Sequence, residues 1–400
     1  MAKLKKELGL FDVTLAGIGI ILGAGIYALI GVASGSAGNA LWLAFLISAI
    51  IAMLTGLSYA ELSSIFKRDS GEYEYVENAF NKKLAFLIGL MVIFSGIVSA
   101  AAVSLGFANY FSALFKTEII FVAILITLIM SFINYYGIKE SSKFNNLSTI
   151  IESLGLFIII ILSIKFIGNV NYLEMPNGFN GVLEATALIF FAFLGFETIV
   201  KLSEETKNPS KTIPKAIILS VIISSIIYIL VSISAVSVLG WENLSNSKAP
   251  LAEVASKSLG GIAFFVLAII ALFSTSNTIL ISLVTSSRMM YGMAEEKGLP
   301  KIFFSISKKR KTPWFSILIT LITSLIFILI GDIKIVALIT NLSLFITFAF
   351  VNLSLIILRY KQPNLERKFK ISLNVGKLNI PAFLGTLFSL FMIIYILKGF

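Results

Sequence analysis

The chain has neither cysteine nor histidine in its 400 residues. The first absence excludes disulfides and thiolate metal sites, and the second removes the side chain that most often carries protons near neutral pH. Any proton coupling must therefore use a carboxylate or a lysine. Charge is also scarce, with 13% of residues charged against 58% hydrophobic, whereas a soluble protein carries about a quarter charged and half apolar. No GxxxxGK[ST] run occurs, so ATP-driven pumping by this chain is not expected. An intramembrane enzyme is disfavoured by the same gaps, because no His, Cys or clustered intramembrane carboxylates are there to organise a metal or a nucleophile. No cofactor is expected. The longest loops, near 292–313 and 359–379, are too short to bury a soluble core.

What the chain has instead is long apolar stretches, the mark of an all-α integral membrane protein. Eleven of about 20 residues each can be marked off, near 10–34, 40–64, 84–113, 117–137, 145–168, 184–204, 213–239, 260–291, 314–331, 333–358 and 380–398. They are numbered spans 1 to 11. The amino end lacks a small-residue cleavage site after a short apolar region, so it is expected to remain in the mature protein. Net charge of +11 raises the question of nucleic acid. Placement answers it: 26 of the 32 Lys and Arg fall in segments that share a side with the amino end. By the positive-inside rule that side is cytoplasmic, the carboxyl end falls outside, and the charge sets topology and contacts anionic lipid rather than nucleic acid. The expected location is the cell membrane.

Two spans depart from the clean apolar helix. Span 1 contains GIGIILGAGIYALIG over residues 17–31, with Gly23, Ala24 and Gly25 at its middle. Span 6 reads LEATALIFFAFLGFETIVKL, with Gly195 followed by Phe196 and the charged Glu197. Glycine costs a helix interior about 1 kcal/mol relative to alanine, so such clusters either break the helix or let another helix approach closely. Glu197 weighs toward a functional break, since a carboxylate deep in a span costs about 2.5–3.5 kcal/mol even on mild insertion scales. With four spans between them, spans 1 and 6 run in opposite directions. That is the arrangement of an inverted five-plus-five repeat whose broken helices meet near the midplane. A single transmembrane transporter domain over 1–400 follows, with repeats at about 10–168 and 184–358 and an extra helix at about 380–398.

Four runs in order carry a family resemblance: LGLFDVTLAGIGIILGAGIYALIG, LSYAELSSIFKRDSGEYEYV, FFAFLGFETIVKLSEETKNPSKTIPKAI, and ALFSTSNTILISLVTSSRMMYGMAEEKGLPKIF followed by KTPWFS. In these the chain resembles the amino acid, polyamine and organocation transporter superfamily, and most closely the cationic and general amino acid permeases. The resemblance implies a ten-helix inverted-repeat core, a substrate site between spans 1 and 6, and alternating access. By position, the amides around Gly23, Ala24 and Gly25 would hold an amino acid carboxylate, as the positive end of a half-helix should. The carbonyls of Ile21, Phe191, Ala192 and Leu194 would receive the ammonium group, and Phe196 would close over the substrate. Without the family the same chemistry holds, since a zwitterion needs donors at one end and acceptors at the other. Ala24 stands where relatives often carry Ser or Thr, which leaves the carboxylate to backbone alone.

Glu152 in span 5 stands where several proton-coupled relatives carry lysine. Asn145, Ser148, Thr149 and Glu152 share one helix face, and Glu152 lies about seven residues, or roughly 10 Å, from the cytoplasmic end. It either snorkels to the interface or, with Ser274 and Thr275 of span 8, forms the ion-coupling position. There a carboxylate can exchange a proton or, beside hydroxyls and carbonyls, hold sodium. The Ser274 to Asn277 band also serves as plain interhelical bonding. Glu61, Glu72, Glu204 and Glu205 are expected to bridge to Lys and Arg in an inner gate. The chain is thus expected to move amino acids by symport with a proton or sodium, or by exchange. A polyamine or amine transporter, with Glu197 meeting the amine, and a non-transporting amino acid sensor remain open, as does oligomeric state. Relatives usually carry twelve spans, against the eleven found here.

Overall fold

The computed structural model describes residues 7–66, 71–295 and 298–399, with the backbone alone at 138–146 and 204. In hydrocarbon each backbone group must be paired within its own segment, so apolar stretches become helices. Each of the apolar stretches is met by helix. In chain order these are α1 (Leu10–Ile21), α2 (Ala24–Ala37), α3 (Leu41–Ile65), α4 (Gly71–Ala79), α5 (Lys82–Phe115), α6 (Ile119–Tyr136) and α7 (Ile138–Ser163). Then follow α8 (Gly178–Ile189), α9 (Pro209–Asn246), α10 (Pro250–Leu259), α11 (Gly261–Glu295), α12 (Trp314–Ile328), α13 (Ile333–Lys361) and α14 (Ile380–Gly399).

Length decides how these relate to spans. Nine helical segments among the described residues are long and apolar enough to cross a membrane, the first being the 42 residues Ala24–Ile65. Straight, that segment would reach about 63 Å, twice the roughly 30 Å of hydrocarbon. A 3-10 turn at Gly38–Ala40, with Gly38 at φ 67°, folds it back into α2 and α3. Conversely, α1 has only 12 residues, about 18 Å, and reaches across only when joined to the 14 of α2. The short α4 and α10 are additions that hydropathy did not indicate. So is a two-stranded antiparallel hairpin, β1 (Asn374–Val375) with β2 (Leu378–Asn379), in the loop before α14.

Sidedness of the side chains is that of a membrane protein. Phe121, Ile150, Ile161 and Ile326 are exposed on the outer faces of their helices, while Ser48, Thr55, Asn341 and Asn352 are buried between helices. Helix α5 runs through the centre against α11 and α13, and α3 packs along α9. Small and hydroxyl residues at these crossings let the helices approach and supply interhelical bonds. Ser104 on α5 bonds Thr127 on α6 at 2.7 Å, and Ser324 on α12 reaches the Ile97 carbonyl at 3.0 Å.

On the side of the amino terminus, Glu61 at the end of α3 gathers a buried ion cluster. Arg359 of α13 pairs with both its carboxylate oxygens, with Arg359 Nε at 2.8 Å from Oε1. Arg367 Nε lies 3.3 Å from the same carboxylate, and the Ile371 amide donates to it at 2.9 Å. Arg359 also meets Asn374, so the hairpin loop is seated on α3. Of the other acids assigned to this side, Glu72 instead accepts from the Tyr59 hydroxyl at 3.0 Å. The Glu205 backbone carbonyl accepts the amides of Glu7 and Leu8 at 3.0 and 3.1 Å, and the Glu204 side chain lies outside the described residues.

Removing one partner of a buried ion pair leaves an uncompensated charge, at a cost of about 3–5 kcal/mol. Glu61→Ala should therefore lower the thermal unfolding temperature in detergent markedly, and Glu61→Gln, which keeps an acceptor, less so. An unchanged unfolding temperature in Glu61→Ala would mean the cluster is open in solution.

Candidate functional site

The break in span 1 falls at Leu22 and Gly23. Helix α1 ends at Ile21, Gly23 takes extended angles (φ −65°, ψ −160°), and α2 restarts at Ala24. Of the five glycines in this stretch only Gly23 is at the break. An added Cβ at Gly17 would meet Ser220, at Gly19 Thr149, at Gly25 the Ala192 backbone and at Gly31 the Leu244 carbonyl, each within 2.9 Å. The two readings of the glycines thus divide by position: one breaks the helix, four seat it against its neighbours.

Span 6 breaks at the expected residue. Helix α8 tightens into a 3-10 turn at Phe190–Phe193, Leu194 is extended, and Gly195 takes φ 115°, which favours glycine. The chain then continues as a 3-10 helix over Phe196–Glu205 in place of a second α-helical half. A Cβ at Gly195 would lie 2.5 Å from Ile20 Cγ2, while one at Gly25 would lie 2.5 Å from Ala192 Cα. The two breaks are therefore in mutual contact.

Their freed backbone groups have identifiable partners. The Ala24 amide donates to Thr278 Oγ1 of α11 at 3.1 Å. The Ile21 and Ala192 carbonyls converge on the Tyr228 hydroxyl of α9, at 2.5 and 2.8 Å. Of the other two carbonyls assigned to an ammonium, that of Phe191 accepts the Leu194 amide at 3.3 Å. At the end of α8, Asn341 of α13 donates to the Ala187 and Leu188 carbonyls at 2.7 and 3.1 Å. Tyr228, Thr278 and Asn341 were not singled out from the sequence. Thr278 adjoins the flagged Ser274 to Asn277 band, while Tyr228 shares a four-residue spacing with buried Ser220, Ser224 and Ser232 on α9, and Asn341 sits between Thr340 and Ser343 on α13.

Glu197 is buried and turns back on the break, its Oε2 accepting the Gly195 amide at 2.8 Å. Phe196 is buried as well, with its ring edge-on to Tyr59 at 5.8 Å and tilted on Phe348 at 5.3 Å. The Tyr228 ring packs instead against the rings of Phe45 and Phe193, with centroids at 5.6 and 5.3 Å.

Glu152 lies on α7 one turn beyond Thr149, which fills the space beside Gly19 of α1. Its side chain is fully buried, faces Ser274 of α11, and completes no hydrogen bond of ordinary geometry at either oxygen. Tyr27 of α2 donates to the Glu152 backbone carbonyl at 2.7 Å. The hydroxyls of Ser148 and Ser274 are likewise buried and unpaired, whereas Thr275 donates to the Ala271 carbonyl at 2.7 Å. The side chain of Asn145, the fourth residue of that stripe, lies outside the described residues. A buried carboxyl group facing a hydroxyl supplies oxygen donors of the kind that hold a hard cation or a proton. Among the described residues no group of three or more His, Cys, Asp or Glu gathers as a transition-metal site would require.

Backbone and side-chain contacts link neighbouring segments toward both ends of the bundle. On the side opposite the amino terminus, Glu174 accepts from Asn39 at 2.6 Å and from the Trp241 indole at 3.2 Å. On the amino-terminal side, Leu8 pairs with Thr206 as a parallel bridge, directly beyond the 3-10 half of span 6.

Comparison with known proteins gives a match to the family described as amino acid permease over residues 8–397. A branched-chain amino acid permease of Bacillus subtilis (strain 168) is 31% identical, covering 98% of this chain and 88% of that protein. A methylthioribose transporter of the same organism is 29% identical over 92% of this chain and 84% of its own length. The cationic amino acid transporter 4 of Mus musculus is 28% identical over 90% of this chain and 60% of its length.

Contact between the breaks can be tested without a ligand. Gly25→Ala drives a methyl into the Ala192 backbone and should destabilise the protein by about 1–3 kcal/mol. Gly292→Ala, in α11 with nothing within 4 Å of the added atom, should be neutral or stabilising by up to about 1 kcal/mol. Equal thermal unfolding temperatures for the two variants would show the breaks apart in solution.

Proposed function

This chain belongs to the amino acid permease family, and from that membership we propose that it is a secondary transporter moving amino acids across the cell membrane by alternating access. It makes and breaks no bond. The observation that carries the reading is the meeting of two broken spans, where carbonyls from each, Ile21 and Ala192, point at one hydroxyl. Opposite them the amino-terminal end of α2 presents its amides, beginning with Ala24. Acceptors at one end and donors at the other form the complement of an α-amino acid zwitterion.

The inverted repeat, the eleven crossings and a cytoplasmic amino terminus belong to this same reading. They are supported by the opposed directions of the two broken spans and by the bias of Lys and Arg to one side. Several substrates are represented among the named relatives, a branched-chain amino acid, methylthioribose and cationic amino acids, so broad uptake of neutral or cationic amino acids is the leading assignment. Both a lysine or arginine side chain and the alternative of a polyamine draw on Glu197, one oxygen of which accepts the Gly195 amide.

Coupling is assigned to Glu152. A buried carboxyl group facing Ser274 with neither oxygen in a completed hydrogen bond is costly to maintain, and groups of this kind within membrane spans serve proton or ion pathways. Purified protein in proteoliposomes should accumulate leucine or arginine under an imposed proton or sodium gradient. Glu152→Gln should retain counterflow and lose gradient-driven accumulation; full accumulation by that variant removes Glu152 from the coupling role. Binding of labelled amino acid without any counterflow would identify a sensor.

A further inference from the structure

The carbonyls left over at the two breaks are occupied, and what occupies them bears on substrate recognition. In a 3-10 helix the Gly195 amide would bond the Ala192 carbonyl three residues earlier. Glu197 takes that amide at 2.8 Å, so the Ala192 carbonyl is released to a partner from another helix. The Ile21 carbonyl is released in the same way, because α1 ends there and the chain restarts at Ala24. Both then face a single side chain, Tyr228, whose ring is fixed between Phe45 and Phe193. Thus Glu197 acts as a positioning residue for the acceptor pair and Tyr228 fills it.

We propose that the Tyr228 hydroxyl is a stand-in for the substrate's primary ammonium group: it ties the two breaks together in the unliganded transporter, and substrate binds by displacing it. The proposal rests on the amino acid reading above and deepens it. A phenol has one hydrogen to offer two carbonyls, so one of the pair is under-served while Tyr228 is in place. An ammonium brings three hydrogens and a charge, and charge-assisted bonds of this kind are about twice as strong as neutral ones. The exchange therefore runs toward substrate for a primary amine. A carboxylic acid without the amine would leave both carbonyls unpaired on displacing the phenol, and buried acceptors left unpaired are what reject such analogues. Tyr228 thus sets the demand for an amine while contributing no contact to the bound substrate, and its release loosens the link between spans 1 and 6.

The test compares wild-type protein with Tyr228→Phe, measuring unliganded thermal unfolding and the Kd for leucine, arginine and 4-methylpentanoate, which is leucine without its amine. Without ligand, Tyr228→Phe should unfold at lower temperature, because both carbonyls lose their donor. Its Kd for leucine or arginine should be tighter by about three- to tenfold, since no hydroxyl has to be displaced, and 4-methylpentanoate should remain a poor ligand for both proteins. A Kd weakened by the substitution overturns the proposal, because the hydroxyl would then contact the substrate; an unchanged unliganded unfolding temperature overturns the tie between the breaks. If wild-type protein binds neither leucine nor arginine, the amino acid reading falls and displacement with it, while the unliganded unfolding temperatures still decide the tie. Should the variant fail to fold, 3-fluorotyrosine placed at 228 keeps the hydroxyl and reports by fluorine NMR. Saturating leucine should move that resonance and 4-methylpentanoate should not; a resonance unmoved by bound leucine overturns the proposal.

Discussion

An unpaired peptide group in hydrocarbon costs several kcal/mol, and the site of this protein is built around that constraint. Two helices stop in mid-membrane, and each frees amides and carbonyls that no neighbouring lipid can satisfy. Side chains from three other helices converge on them, Thr278 of α11 on the Ala24 amide, Tyr228 of α9 on Ile21 and Ala192, and Asn341 of α13 on Ala187 and Leu188, and within span 6 Glu197 takes the Gly195 amide. Satisfaction of the breaks is thus a property of the whole bundle. Because the pairing is with side chains, which can rotate, the backbone groups remain exchangeable with a ligand in a way that regular helical bonds are not.

The same constraint makes Glu152 conspicuous. Around the breaks the Ala24 amide, the Ala192 carbonyl and the Gly195 amide each have a partner, whereas this carboxyl group faces Ser274 without completing a bond. Its helix is placed by packing and by one hydrogen bond: Thr149 beside Gly19 brings α7 against α1, and the Tyr27 hydroxyl anchors the Glu152 backbone to α2. Hence the helix that carries the candidate coupling group contacts both halves of the broken span. Toward the ends, contacts of different character link neighbouring segments. A buried ion cluster on Glu61 seats the hairpin loop on one side, and hydrogen bonds to Glu174 join the loop before α8 to the turn between α2 and α3 and to α9 on the other.

Several features were legible in the residues because they follow from local rules. Apolar length marked the helices, and the glycine beside a charge in span 6 marked the break at Gly195. Other features were not. Tyr228 continues a polar stripe with Ser220, Ser224 and Ser232 on α9, and Asn341 follows Thr340 on α13, but such a stripe reads the same whether it bonds an intact helix or a broken one. Glu197 was assigned to a ligand because its intramembrane position demanded a partner; that the partner is the amide two residues back depends on the positive φ of Gly195. Phe196 was assigned to the substrate by likeness, and its ring lies between Tyr59 and Phe348.

By itself, then, the sequence determined a membrane-embedded all-α chain, the glycines that mark spans 1 and 6 as irregular, and a shortage of titratable groups that leaves few candidates for coupling. Hydrophobic length, glycine backbone freedom and the cost of buried charge act over a few residues, so they can be read without knowing the neighbours. Only the tertiary structure decided which glycines break and which pack, which carbonyls are released, and what fills them. Those outcomes depend on the distance between groups as remote in the chain as Ile21 and Tyr228, and a hydrogen bond exists only where folding brings its two ends within about 3 Å.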